Sequence, residues 1–161
     1  MDDFDVRVGE MMRKVGANIT RCGWHATGVF GGGGSFMYTT GLTTGDHPEL
    51  VIAGLPPETA HGLIAAAVGV IRSGVPLAPG RDYAEIAHGF PVRFKEVDQG
   101  ACEHPLSVTN RHYGRRVPAL QLLWPDPEGR FPGENGCDPA MAAAQNISKP
   151  SGDEGTCPGG C

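Results

Sequence analysis

Long apolar runs, an excess of positive charge, a secretory leader and an even cysteine count are all missing from these 161 residues. No apolar stretch approaches the roughly 18 residues that would span a bilayer, so no membrane association is expected. Thirteen Lys and Arg against 18 Asp and Glu leave a formal net charge of −5. Nucleic acid and anionic lipid both select basic surfaces, so neither is an expected partner. The start, Met1-Asp2-Asp3-Phe4-Asp5, is acidic where a secretory signal is basic, and a cytoplasmic location is expected. Five cysteines (Cys22, Cys102, Cys137, Cys157, Cys161) cannot all pair within one chain, and in a reducing compartment they are expected as free thiols. What is abundant is Gly, 25 residues, and Pro, 14, which call for short elements and many turns.

The apolar pattern places those elements. Phe4, Val8, Met11, Met12 and Val15 recur at three- and four-residue steps, an amphipathic helix over Phe4–Val15 with Gly16 as its stop. Trp24–Phe30 and Phe36–Leu42 flank Gly31-Gly32-Gly33-Gly34-Ser35 and read as a hairpin. Leu50–Leu55 is a continuous apolar run of buried-strand length. Pro56-Pro57-Glu58 then opens a helix, with Pro accepted in its first turn and a stripe of Ala60, Leu63, Ile64, Ala67, Val68 and Ile71. Further strands are expected at Tyr83–Ile86, Phe90–Val97 and Ala119–Trp124, with a short helix within Ala101–Tyr113. Helix, three strands, helix, strands does not alternate as βαβ units do. The fold class is therefore α+β, a mostly antiparallel sheet packed with an N-terminal and a central helix. Beyond Cys137 large apolar side chains are scarce, so residues 1–137 are expected as the globular domain and 138–161 as a disordered tail.

Several motifs resolve into ordinary chemistry. The glycine run is followed by a strand, not by the helix N-terminus that a phosphate loop needs. His47-Pro48-Glu49 has the His-x-Glu form of zinc deaminases but lacks a Pro-Cys-x-x-Cys partner. Cys157-Pro158-Gly159-Gly160-Cys161 has no rigid element to hold four ligands, so no metal site is expected and no cofactor is indicated. His61 borders the central helical stripe and is expected to be partly buried. Strand alternation puts His25 and Thr27 on one face, and Phe36, Tyr38, Thr40 and Leu42 on one face of the partner strand.

Taken together, Gly23-Trp24, Phe36-Met37-Tyr38-Thr39-Thr40-Gly41-Leu42-Thr43, His47-Pro48-Glu49-Leu50-Val51-Ile52-Ala53-Gly54-Leu55, Val92-Arg93-Phe94, Tyr113-Gly114, Ala119–Asp126 and Gly129-Arg130-Phe131-Pro132 resemble the DUF4262 family of uncharacterised bacterial and phage proteins, from about residue 5 to 137. In that family a Trp commonly follows Phe-Pro; Gly133 stands there in this chain, which bears on ligand preference if the aromatic lines a pocket. The resemblance implies no activity. From the residues themselves, polar side chains at consecutive strand ends converge readily on one concave site. The expected function is small-molecule binding there, around His25, Tyr38, Thr40, His47 and Glu49. Arg93 would supply an anion contact and Trp124 a stacking wall. If the site is catalytic, His25 or His47 is the general base and Glu49 orients it. The competing reading makes Pro48 and Gly41 turn formers and Trp124 core. The alternative function is a protein-interaction module using the acidic surface or the C-terminal tail.

Overall fold

A computed structural model describes residues 3–29, 35–102 and 106–147. The first helix, α1 (Asp3–Cys22), runs past Gly16, where a stop was expected. A glycine inside a helix costs about 1 kcal/mol, which the packing of Val15, Met12 and Ile19 on the sheet outweighs. The helix stops at Cys22, where Gly23 turns into the left-handed region at φ 88° and donates to the Ile19 carbonyl at 2.7 Å.

Strands β1 (His25–Val29) and β2 (Phe36–Thr40) form the expected hairpin, with His25 opposite Thr40 and Val29 opposite Phe36. Its tip, apart from Ser35, lies outside the described residues. Then follow β3 (Glu49–Ala53), α2 (Pro57–Arg72), β4 (Asp82–Tyr83), β5 (Val92–Glu96), α3 (Ser107–Tyr113), β6 (Ala119–Leu123) and α4 (Pro139–Ala144). The strands make one sheet in the order β1-β2-β3-β6-β5-β4. Neighbours are antiparallel except β3 and β6, which are parallel. The architecture is α+β.

Strands β2, β3 and β6 are buried along their whole length, which is why β3 reads as a continuous apolar run: both faces are covered. On one face Leu50, Ile52, Leu120, Leu122 and Phe94 pack against Ile64, Ala67 and Val68 of α2. On the other, Phe36, Tyr38, Val51 and Ala119 meet Val15 of α1 and Val108 of α3. Among the described residues no helix is long and apolar enough to cross a membrane.

Packing continues past Cys137. Asp138 caps α4 by accepting from the Ala140 N–H at 3.0 Å, and Pro139 occupies the first turn. Met141 and Gln145 are buried. The Gln145 amide pairs with the backbone of Trp124, accepting from its N–H at 3.0 Å and donating to its carbonyl at 2.8 Å, as a further strand would. Residues 138–147 are thus docked on the sheet, where a disordered tail was expected from 138. Little apolar area is available here to offset the entropy of ordering, and the Gln145 amide adds to it by satisfying a strand end. Residues 148–161, with Cys157 and Cys161, lie outside the described residues.

A chain ending at Asp138 loses Met141 and Gln145 together. Its Tm is expected to fall by about 5–10 °C, from roughly 2–3 kcal/mol of lost packing and hydrogen bonding. A chain ending at Ile147 keeps both and is expected to melt within about 2 °C of the full length. Equal melting of all three chains would contradict the role assigned to α4.

Candidate functional site

The residues singled out in sequence divide between the two ends of the sheet. His25, Thr40, His47 and Glu49 lie at the end where β3 begins, with Tyr38 two residues inward on β2. Arg93 and Trp124 lie at the end where β6 finishes, since Arg93 is opposite Leu123. They do not form one site.

Glu49 is fully buried, and among the described residues it meets no Lys or Arg. Its carboxylate accepts five hydrogen bonds instead. Oε1 receives the Thr39 hydroxyl at 2.7 Å and the Leu42 N–H at 3.2 Å. Oε2 receives the N–H groups of Gly41 at 3.3 Å and Thr43 at 2.8 Å, and the Thr43 hydroxyl at 2.6 Å. Hydrogen bonds to a charged acceptor are worth about 1.5–3 kcal/mol each, so a buried carboxylate is tolerated without a cation. The loop it holds requires glycine at 41. Gly41 has φ 126°, and a Cβ there would lie 2.6 Å from the Gly23 carbonyl oxygen.

His47 is engaged at both ring nitrogens. Its Nε2 accepts from the Leu77 N–H at 3.0 Å, so the ring proton sits on Nδ1 and is donated to the Pro48 carbonyl at 2.8 Å. A second proton on Nε2 would break the Leu77 bond. The ring ties the start of β3 to the strap that follows α2. Tyr38 and Thr40 work on the opposite face, where they anchor α3. The Tyr38 hydroxyl accepts from the Val108 N–H at 3.0 Å, satisfying an orphan donor of the first helical turn. Burial pushes the Tyr38 phenol above its ordinary pKa. Thr109 donates to the Thr39 carbonyl at 2.7 Å, so its hydroxyl receives that of Thr40 at 2.8 Å.

His25 is different. Arg21 donates to the Asn18 carbonyl oxygen at 2.9 Å, which orients the amide so that its NH2 faces His25 Nδ1 at 2.8 Å. Burial, aided by the Lys14 charge, holds the His25 pKa below its ordinary value, so the ring is neutral at pH 7. With Nδ1 accepting, the proton belongs on Nε2, which makes no hydrogen bond among the described residues. His25 lines a groove of about 330 Å³ together with Asn18, Arg21, Trp24, Met37 and His61. Trp24 and His61 stack there at 5.7 Å between ring centroids. His61 is exposed where partial burial is expected, with its ring against the Trp24 indole and not in the core of α2.

At the far end Arg93 bonds Asp82 at 2.7 Å and lies 4.2 Å above the Phe131 ring. That pairing holds the Asp82 carboxyl below its usual range. Trp124 donates its indole N–H to the Ala53 carbonyl at 3.2 Å and borders a second groove, of about 390 Å³, with Phe90, Asp126 and Met141. Gly133 is exposed at φ 95°, and a Cβ there would meet nothing within 4 Å.

A family model described as "Domain of unknown function (DUF4262)" matches residues 18–138. The chain belongs to the DUF4262 family. No curated protein and no solved structure matches it. The match takes in the Glu49 loop, the His25 groove and the Trp124 groove apart from Met141, and it leaves the first fifteen described residues of α1 outside. Within this DUF4262 domain, Asn18 and His61 were missed as groove residues. Asn18 sits three residues beyond the expected end of α1, and the stack of His61 on Trp24 is a tertiary contact. No sequence signal marks either.

Glu49→Gln puts an NH2 group against a ring of donors and is expected to destabilise the domain by at least about 3 kcal/mol in urea unfolding. A loss under about 1 kcal/mol would contradict the view that the carboxylate holds the loop.

Proposed function

We propose that this DUF4262 domain binds a small planar molecule carrying a hydrogen-bond acceptor or anionic group, in the groove between α1, β1 and α2. One observation carries the reading. The Arg21–Asn18–His25 chain leaves a neutral imidazole with an N–H donor in a groove walled by Trp24 and His61. Concave sites with an apolar lining and a few oriented polar groups are where small ligands bind. The aromatic pair suits a flat ligand, and Arg21 and Lys14 favour negative charge nearby. His47 and Glu49 enter as scaffold: they fix the loop at the end of β2, and β2 pairs with β1. Any acid–base chemistry then narrows to His25. A neutral Nε2–H in the groove stabilises developing negative charge more naturally than it removes a proton.

A panel of aromatic carboxylates and phosphates, screened by thermal shift, tests the proposal. A ligand present at about 100 times its Kd is expected to raise the Tm by roughly 5–10 °C. In His25→Phe and Asn18→Leu the same ligand is expected to give less than about half that shift, because donor and orientation are lost. Equal shifts in parent and variants, or no stabilising compound in the panel, would sink the proposal.

A further inference from the structure

The N-terminal half of α1 carries an apolar stripe that packs on nothing among the described residues. Phe4 is 68% exposed and Met11 39%, with Val8 half-buried between them. They continue the row whose later members, Met12, Val15 and Ile19, lie on the sheet. Phe4 stands about 16 Å along the helix from Val15, too far to share that cover. An aromatic and a methionine exposed together on one helical face leave apolar surface open to a further contact.

The charges beside the stripe say what makes it. Asp3, Arg7, Glu10 and Lys14 follow one another at steps of four, three and four, so they line one flank in alternating sign. All four are exposed, and among the described residues none is in an ion pair. In an antiparallel pair of identical helices centred between Val8 and Gly9, Asp3 lies opposite Lys14 and Arg7 opposite Glu10, and the two-fold axis repeats both. A parallel pair would turn this flank away from its own copy and toward the partner's other flank, leaving the four charges without these partners.

We infer that α1 is a self-association surface, on which the same stripe of a second copy of this chain packs antiparallel. The contact is isologous, as two-fold interfaces are. Exposed ion pairs add little affinity, so the four charges set orientation and register while Phe4, Val8 and Met11 supply the buried surface. Two short helical stripes cover less than the about 1,200 Å² of a standard interface, so the dimer forms and dissociates with concentration.

Sedimentation equilibrium of the full chain, under reducing conditions so that its thiols stay unpaired, tests this. A monomer–dimer equilibrium is expected, with Phe4→Asp weakening it by about tenfold or more. Lys14→Asp alone is expected to weaken it about threefold, and Asp3→Lys combined with Lys14→Asp to restore it to within about twofold. Exchanging Arg7→Glu with Glu10→Arg supplies the same comparison away from the helix end, with helicity checked by circular dichroism. A single-chain mass at every concentration up to about 1 mM would overturn the inference. So would a dimer indifferent to Phe4→Asp, or charge exchanges that fail to restore it in helical variants.

Discussion

A buried carboxylate without a cation governs the arrangement of this domain. Glu49 stands at the first position of β3, and its five donors come from Thr39 and from the loop Gly41–Thr43. Isolated in a dry interior such a charge would be very costly; surrounded by N–H and O–H groups it organises them. The same residue starts the parallel ladder, donating its backbone N–H to the Pro118 carbonyl at 3.0 Å. His47 extends the device to the other face by receiving the Leu77 N–H. One short loop therefore fixes the pairing of β2 with β3, the approach of β6 and the strap after α2.

That arrangement assigns different work to residues that look equivalent in a list. Glu49, His47, Tyr38 and Thr40 spend their polar atoms on the backbone of neighbouring elements. His25 spends one nitrogen on Asn18 and keeps the other. The sheet order matters as much. Because β6 inserts between β3 and β5, Arg93 and Trp124 are carried to the opposite end of the sheet, where each has its own partners in Asp82 and the Ala53 carbonyl. The two grooves are separate features, one beside α1 and one beside α4.

Local pattern made much of this legible. The hairpin, the run at β3 and the stripe of α2 follow from periodicity and Pro placement, and the structure has them with boundaries within a residue or two. The family resemblance also holds, over residues 18–138. Gly16 misled, because helix propensity is weak beside the packing of Val15 and Ile19. Helix α4 was invisible because its contribution rests on Gln145, whose partners are backbone atoms 21 residues away. Glu49 and His47 stand together at a strand end, as the residue order indicates. Their donors and acceptors belong to loop backbone, which no residue pattern reveals, so proximity in sequence suggested a shared pocket where the fold uses each as a tie.

The two histidines offer the most direct test. Their hydrogen bonds require opposite tautomers at neutral pH: proton on Nε2 in His25, because Nδ1 accepts from Asn18, and proton on Nδ1 in His47, because Nε2 accepts from Leu77. A long-range proton–nitrogen correlation spectrum of uniformly labelled protein reads both rings at once. The predicted result is one fixed tautomer per ring and the two of opposite kind. The same tautomer in both rings, or a charged or rapidly exchanging His25, would contradict the separation of scaffold from binding donor on which the account rests.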